Sequence, residues 1–153
     1  MIITFCGHSD FHGNDMVEQQ ILLLLYQYGE NQALELYLGG YGAFDEFAYC
    51  CCKKYKEQQQ NAKLIFITPY LTESYQNHHL KQAEQKYDAI LYPPLEKVPY
   101  RFAIRRRNQW MAENADLIIS YVNRSHGGAY QFFDYATRRN KRVINLAAKF
   151  SEC

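Results

Sequence analysis

Short apolar runs alternate along this chain with longer stretches in which apolar residues recur at helical spacing. The short runs are rich in aliphatic and β-branched side chains and predict six strands, over residues 2–6, 33–38, 64–68, 89–92, 117–122 and 143–146. Helical spacing between them predicts helices over residues 16–28, 43–59, 100–114 and 127–140. The polar segment 70–86 is predicted to be a loop with a short helix.

This alternation predicts an α/β protein with a Rossmann-like three-layer α/β/α architecture and a mostly parallel sheet of about six strands. Parallel strands need crossover connections, and these are right-handed, so helices are expected on both faces of the sheet. The chain has 153 residues and no internal repeat or linker. We therefore expect a single domain over residues 1–153.

Composition narrows the range of partners. The formal net charge is +1, which argues against a protein that grips long duplex DNA but leaves room for a small anionic ligand. The five cysteines lack CxxC spacing, so we expect free thiols in a reducing cytoplasm, no metal site and no cofactor. The longest wholly apolar run, residues 21–26, is too short to span a membrane, and no secretory signal is expected.

Glycine turns follow three of the predicted strands. In open α/β sheets, ligands bind beyond the carboxyl ends of the strands, where glycine allows the backbone to approach a phosphate closely. The candidate ligand-binding residues in these turns are Gly7, His8, Gly39, Gly40, Gly42, Ser125, Gly127 and Gly128. The alternative is that the glycines only form tight connections and that Ser125 only caps a helix.

An arginine-rich helix start provides the candidate cations. Arg101 and Arg105 are four residues apart and share a helix face with Asn108. Arg106 and Arg107 are turned about 100 and 200 degrees from Arg105, so the arginines cannot all face one ligand. We expect at least one of Arg101, Arg105 and Arg107 to bind an anion, because the guanidinium group offers a bidentate fork to phosphate. For Arg106 we expect a solvated position.

Two carboxylates are candidate catalytic residues. Glu46 lies one helical turn after the second glycine turn, where it could reach a ribose hydroxyl or a hydrolytic water. Asp134 lies six residues after Gly128. Glu46 could equally be an ordinary acidic residue in the first turn of a helix.

The carboxyl-terminal half of the chain carries a family resemblance. Arg106-Arg107-Asn108 is followed by the strand Asp116-Leu117-Ile118-Ile119 and then by Ser125-His126-Gly127-Gly128. This series resembles the superfamily that joins the DNA-processing protein A and Lonely Guy families, the SLOG fold, and the likeness covers nearly the whole chain. The resemblance implies a small bacterial member of that superfamily, in which residues 1–153 form a single SLOG-like nucleotide-binding domain with a site for a nucleotide or a nucleotide-derived ligand.

The Lonely Guy enzymes cleave an N-glycosidic bond and release ribose 5-phosphate. Arg107, Met111 and the glycine pair match their motif. Tyr130 and Gln131 replace its later glycine and threonine, and Asp134 stands in the place of its catalytic glutamate. The shorter carboxylate retracts by about one methylene from a position that requires hydrogen-bond reach.

Three functional hypotheses follow. The first is a domain that binds a nucleotide or a nucleotide-derived signal. The second is a phosphoribohydrolase-like N-glycosidase acting on a nucleoside monophosphate. The third is a protein that binds single-stranded nucleic acid, which would need a basic groove and stacking aromatic residues. Members of the superfamily often self-associate, so a homo-oligomer is possible.

Overall fold

The computed structural model describes residues 1–147. The strands are β1 (Ile2–Gly7), β2 (Leu34–Leu38), β3 (Ala62–Ile67), β4 (Ala89–Leu91), β5 (Leu117–Tyr121) and β6 (Val143–Asn145). The helices are α1 (Asp15–Gly29), α2 (Ala43–Gln58), α3 (Glu73–Tyr75), α4 (Lys81–Lys86), α5 (Ala103–Asn114) and α6 (Gly128–Arg138). No helix within residues 1–147 is both long enough and apolar enough to cross a membrane.

The strands form one sheet in the order β4-β3-β2-β1-β5-β6, and every neighbouring pair is parallel. This confirms the predicted α/β architecture and the six strands. The chain moves from β1 outward to β4 on one side and then crosses back to β5 on the other side of β1. The carboxyl ends of β1 and β5 therefore form a topological switch point, which is where open α/β sheets bind ligands.

Apolar side chains cover both faces of the sheet, as the alternation predicted. On one face, α1 and α2 bury residues such as Ile21 and Phe44 against the sheet. On the other face, α5 and α6 bury Met111 and Phe132 against Ile118 and its neighbours. The loop at the carboxyl end of each strand is thus held between two packed layers.

Two segments differ in detail from the sequence-based prediction. Residues 73–86 are helical throughout, with a π-helical turn at Gln76–Leu80 between α3 and α4. The side chain of Thr72 caps this helix by accepting a hydrogen bond from the Tyr75 backbone N–H. The predicted helix over residues 100–114 begins as a 3₁₀ turn, Tyr100–Phe102, before α5 continues it.

Candidate functional site at the switch point of the sheet

A cavity of about 210 Å³ opens at the carboxyl ends of β1 and β2, between α5 and α6. We call it the switch-point cavity. Its lining comes from the carboxyl end of β1 and the loop after it, the turn after β2 with the first turn of α2, one face of α5, and the loop after β5 with the first turns of α6: Phe5, Cys6, Gly7, His8, Ser9, Gly39, Tyr41, Asp45, Ile104, Arg107, Asn108, Met111, Arg124, Gly127, Gly128, Ala129 and Phe132. The volume suits a phosphate or ribose phosphate better than a large ligand, since drug-sized ligands occupy about 300–1,000 Å³.

Arg107 forms the inner wall of the switch-point cavity and is only 2% exposed. Its Nη1 donates hydrogen bonds to the carbonyl oxygens of Gly39 at 3.0 Å and Ile67 at 2.6 Å. Its Nε donates to Oδ1 of Asn108 at 2.9 Å. Within residues 1–147, Nη2 has no hydrogen-bond acceptor and no carboxylate lies within 4.0 Å of the guanidinium group. A buried cation without an ion-pair partner is costly, so an anion in the cavity would stabilise it.

Asp45 is the carboxyl group in the switch-point cavity. Its Oδ2 accepts a hydrogen bond from the Tyr41 backbone N–H at 2.9 Å. Burial raises the pKa of Asp45 to about 6, although the hydrogen bond from Tyr41 and the charge of Arg107 oppose the rise. This group can therefore gain or lose a proton near neutral pH, and in either state it can hydrogen bond a sugar hydroxyl.

The first turn of α6 supplies unpaired backbone donors. Gly127 is the N-cap residue, with φ at 92° and ψ at 175°. The backbone N–H of Gln131 is the first in this helix to bond within it, to the Gly127 carbonyl oxygen at 3.0 Å. The amides of Gly128, Ala129 and Tyr130 precede it and have no acceptor within the helix. Gly127 and Gly128 are exposed and line the cavity, so the positive end of the helix dipole faces it.

Side chains on the loops after β1 and β5 hold the two sides of the switch point together. Nε2 of buried His8 accepts a hydrogen bond from the Asn123 backbone N–H at 3.0 Å. Burial, followed by the nearby charge of Arg124, lowers the pKa of His8, which keeps the ring neutral and able to accept this bond. Arg124 also forms a two-point ion pair with Asp10, at 3.0 and 3.2 Å. These contacts fix the width of the cavity.

A second surface cavity adjoins the first and shares residues Ile104, Asn108, Gly128 and Phe132 with it. We call it the arginine groove. It is about 450 Å³ in volume and runs between α5 and α6. Its charged lining residues are Arg101, Arg105, Asp134, Arg138 and Arg139. Arg138 pairs with Asp134 at 2.9 Å, and the remaining arginines leave the groove basic.

The structure brings together about half of the candidate residues predicted from the sequence. Those that line the switch-point cavity are Gly7, His8, Gly39, Arg107, Asn108, Gly127 and Gly128. Those that lie outside it are Gly40, Gly42, Ser125, Arg101, Arg105, Glu46 and Asp134. Of this second group, Arg101, Arg105 and Asp134 line the arginine groove instead.

Neither of the two carboxylates predicted to be catalytic, Glu46 and Asp134, lines the switch-point cavity. Glu46 is exposed and pairs with Lys86 at 3.4 Å, away from the switch-point cavity. One residue along α2 is a rotation of about 100 degrees, which explains why Asp45 faces the cavity and Glu46 does not. Arg106, predicted to be solvated, forms a two-point ion pair with Glu113 at 3.1 and 3.3 Å.

Sequence reasoning missed Asp45 and Arg124 as cavity residues. The sequence position of each residue could have indicated this. Asp45 lies in the first turn of the helix that follows the second glycine turn, and Arg124 comes directly before the predicted Ser125 site. Tyr41 also lines the cavity, and its position between two glycines of the second turn could have indicated this.

No protein-family model matches the sequence, and no curated protein matches it. The fold is similar to solved structures of DNA processing protein A. The protein from Helicobacter pylori, which binds single-stranded DNA, superposes with a TM-score of 0.64 at 16% identity, covering 99% of this chain and 67% of that one. The protein from Streptococcus pneumoniae gives a TM-score of 0.64 at 13% identity, covering 98% of this chain and 51% of that one. These likenesses establish the fold and agree with the resemblance to that superfamily.

Proposed function

We propose that the switch-point cavity binds the phosphate of a nucleotide or a nucleotide-derived small molecule. One observation carries the proposal. The buried guanidinium of Arg107 and the open amino-terminal turn of α6 lie on the walls of one cavity. A phosphate there would receive charge-assisted hydrogen bonds from backbone amides and from Arg107 Nη2 together.

The other polar groups of the cavity suit the sugar. Asn108 is held by Arg107 Nε through its Oδ1, which leaves its amide nitrogen as a donor. Asp45 offers acceptor oxygens for ribose hydroxyls. A full negative charge on Asp45 would repel a phosphate beside it, and the raised pKa of this group reduces that repulsion.

The test compares two substitutions at Gly128, the first residue of α6. Gly128→Pro removes one cavity-facing N–H, and proline is tolerated at the first position of a helix. Gly128→Ala keeps the N–H, and a Cβ at this position meets nothing within 4 Å, so it is the matched control. We expect Gly128→Pro to weaken binding of AMP and ribose 5-phosphate by about 10- to 100-fold in isothermal titration calorimetry.

Circular dichroism and thermal unfolding would show that both Gly128 variants remain folded. Equal affinity of the two variants for AMP would contradict phosphate binding at this helix start. Absence of any calorimetric signal for wild-type protein with AMP, ribose 5-phosphate and ADP would contradict the proposed function as a whole.

The N-glycosidase hypothesis depends on Asp45, because Glu46 and Asp134 lie outside the switch-point cavity. A carboxyl with a pKa of about 6 can act as an acid or a base near neutral pH. Release of free base from a nucleoside monophosphate, measured by mass spectrometry, would support hydrolysis. This activity should disappear in Asp45→Asn and persist in Glu46→Gln.

Single-stranded nucleic acid is the second candidate ligand. The observation in its favour is the arginine groove beside the cavity, together with a fold similar to that of a protein that binds single-stranded DNA. A labelled oligonucleotide whose binding weakens steeply with salt would support this candidate. An affinity for the oligonucleotide that does not change with salt concentration would contradict this candidate.

A further inference from the structure

We propose that the ligand is a 5′-phosphorylated oligonucleotide whose terminal phosphate enters the switch-point cavity while its following phosphodiesters lie along the arginine groove. This inference rests on the proposed phosphate site and names the class of ligand that fills it. A nucleoside monophosphate would occupy the cavity alone and leave the adjoining groove empty.

The switch-point cavity is closed at its inner end. Arg107 is buried there and is tied to the carbonyl oxygens of Gly39 and Ile67, at the ends of β2 and β3. A strand cannot pass through this wall, so a terminal phosphate can reach the inner end without the chain having to turn back. The amides of α6 and Nη2 of Arg107 suit a terminal phosphate, which carries more charge than an internal phosphodiester.

The arginine groove continues from that cavity along α6. Its lining residues Gly128, Gln131, Tyr135 and Arg139 follow helical spacing on one face from the first turn to the end of the helix. Eleven residues at 1.5 Å per residue span about 16 Å, which is enough for more than one phosphate group. The two phosphates of a nucleoside diphosphate share a bridging oxygen and could not spread over this length.

Three arginines of the groove lack an anionic partner. Within residues 1–147, no carboxylate lies within 4.0 Å of Arg101, Arg105 or Arg139. Arg139 lies over the ring of Tyr135 at 3.4 Å, and its place at the end of α6 is favourable for the helix dipole. Arg101 also lies over an aromatic ring, that of Phe102, but neither Arg101 nor Arg105 lies at the carboxyl-terminal end of a helix, where the dipole favours a cation.

Arg101 and Arg105 stand at the amino-terminal end of a helix, where positive charge is unfavourable. Arg105 is the third residue of α5, Arg101 lies in the 3₁₀ turn before it, and the first turn of α5 contains no acidic residue. Cations at this end oppose the helix dipole. The structure therefore keeps these charges at a cost, which a polyanionic ligand would offset.

Two exposed aromatic residues precede and follow Arg101, which lines the groove. Tyr100 is 67% exposed and Phe102 is 44% exposed, on either side of Arg101. The Tyr100 ring stacks on Tyr70 with centroids 4.4 Å apart, which holds it in place, and Arg101 lies over the Phe102 ring. Rings presented beside a basic groove suit stacking by nucleic-acid bases.

The test measures binding of three thymidine probes by calorimetry: thymidine 5′-monophosphate, a 5′-phosphorylated tetrathymidylate and the same tetramer with a 5′-hydroxyl. We expect the 5′-phosphorylated tetramer to bind at least about 10-fold more tightly than either of the other probes. The double variant Arg101→Gln/Arg105→Gln should remove the advantage of the 5′-phosphorylated tetramer over the monophosphate without changing the affinity for the monophosphate. The slope of log K against log salt should become shallower by about 0.7 for each phosphate that the variant no longer neutralises.

Arg142→Gln is the matched control, because Arg142 is exposed and lies over the Tyr28 ring rather than in the groove. It should leave all three affinities unchanged. Equal affinity for the monophosphate and the 5′-phosphorylated tetramer would overturn the role of the groove while leaving the proposed phosphate site intact. Equal affinity for the two tetramers would overturn recognition of a strand end. Failure of every phosphorylated probe to bind would overturn the proposed function as well.

Discussion

The two glycine turns that begin α2 and α6 have nearly the same backbone and opposite surroundings. Gly42 has φ at 92° and ψ at 173°, and Gly127 has φ at 92° and ψ at 175°. Each is the N-cap residue of a helix that follows a parallel strand. This conformation is essentially restricted to glycine, which explains the residue type at both positions.

The turn at Gly42 is closed by the protein itself. A Cβ on Gly42 would lie 2.8 Å from Cα of Ser9, and the carbonyl oxygen of Ser9 accepts a hydrogen bond from the Ala43 N–H at 3.0 Å. A Cβ on Gly127 would meet nothing within 4 Å, and the amides behind it are open to the cavity. A glycine turn before a helix therefore marks a possible anion site, and the neighbouring loop decides whether it is available.

Alanine at the two N-cap positions would separate backbone strain from packing. Both substitutions carry strain on the order of 1–3 kcal/mol. Gly42→Ala also forces an overlap with Ser9, which adds about 1–3 kcal/mol. We expect Gly42→Ala to reduce the free energy of unfolding clearly more than Gly127→Ala, as measured by urea denaturation. Equal losses would show that the turn at Gly42 is not closed by packing.

Asp45, in the first turn of α2, makes the stability of the protein depend on pH. Burial raises its pKa from 3.8 to about 6, so the folded state holds this proton more tightly than the unfolded state. The resulting stabilisation is complete below about pH 3.8 and is lost as the pH rises through about 6. We expect Asp45→Asn, which cannot ionise, to be more stable than wild type by on the order of 2–3 kcal/mol at pH 8 and equally stable near pH 3.5.

Glu46→Gln is the control for this measurement, because Glu46 is exposed on the same helix. Its effect on the free energy of unfolding should stay within about 0.5 kcal/mol at both pH values. A difference between Asp45→Asn and wild type that does not change with pH would contradict the raised pKa.

The smallest expected effect is at Gly128. Alanine fits there without steric overlap, and it restricts the unfolded chain more than glycine does. We expect Gly128→Ala to stabilise the protein by up to about 1 kcal/mol, read from thermal unfolding without ligand. A destabilisation of more than about 1 kcal/mol would show that the turn at Gly127 and Gly128 is packed after all.

Part of the candidate site could be predicted from the sequence, and the reasons are local. Arg107 was one of three arginines predicted from residue type to bind an anion, and Gly127–Gly128 were predicted from their position after a strand; Arg107 and both glycines line the switch-point cavity. Arg101 and Arg105 were predicted to share a helix face, and both line the groove rather than the cavity. The outward position of Glu46 depends on the exact start of α2, and helix boundaries predicted from a sequence are uncertain by a few residues.

Short-range periodicity and backbone geometry were enough to predict the alternation of strands and helices, the parallel sheet, and the glycines and arginines near the strand ends. Three features required the folded chain: β5 lies beside β1, Ser9 closes one glycine turn, and the other turn stays open opposite Arg107. These outcomes depend on contacts between segments as far apart as residues 8 and 123, and local residue patterns do not encode which loops meet.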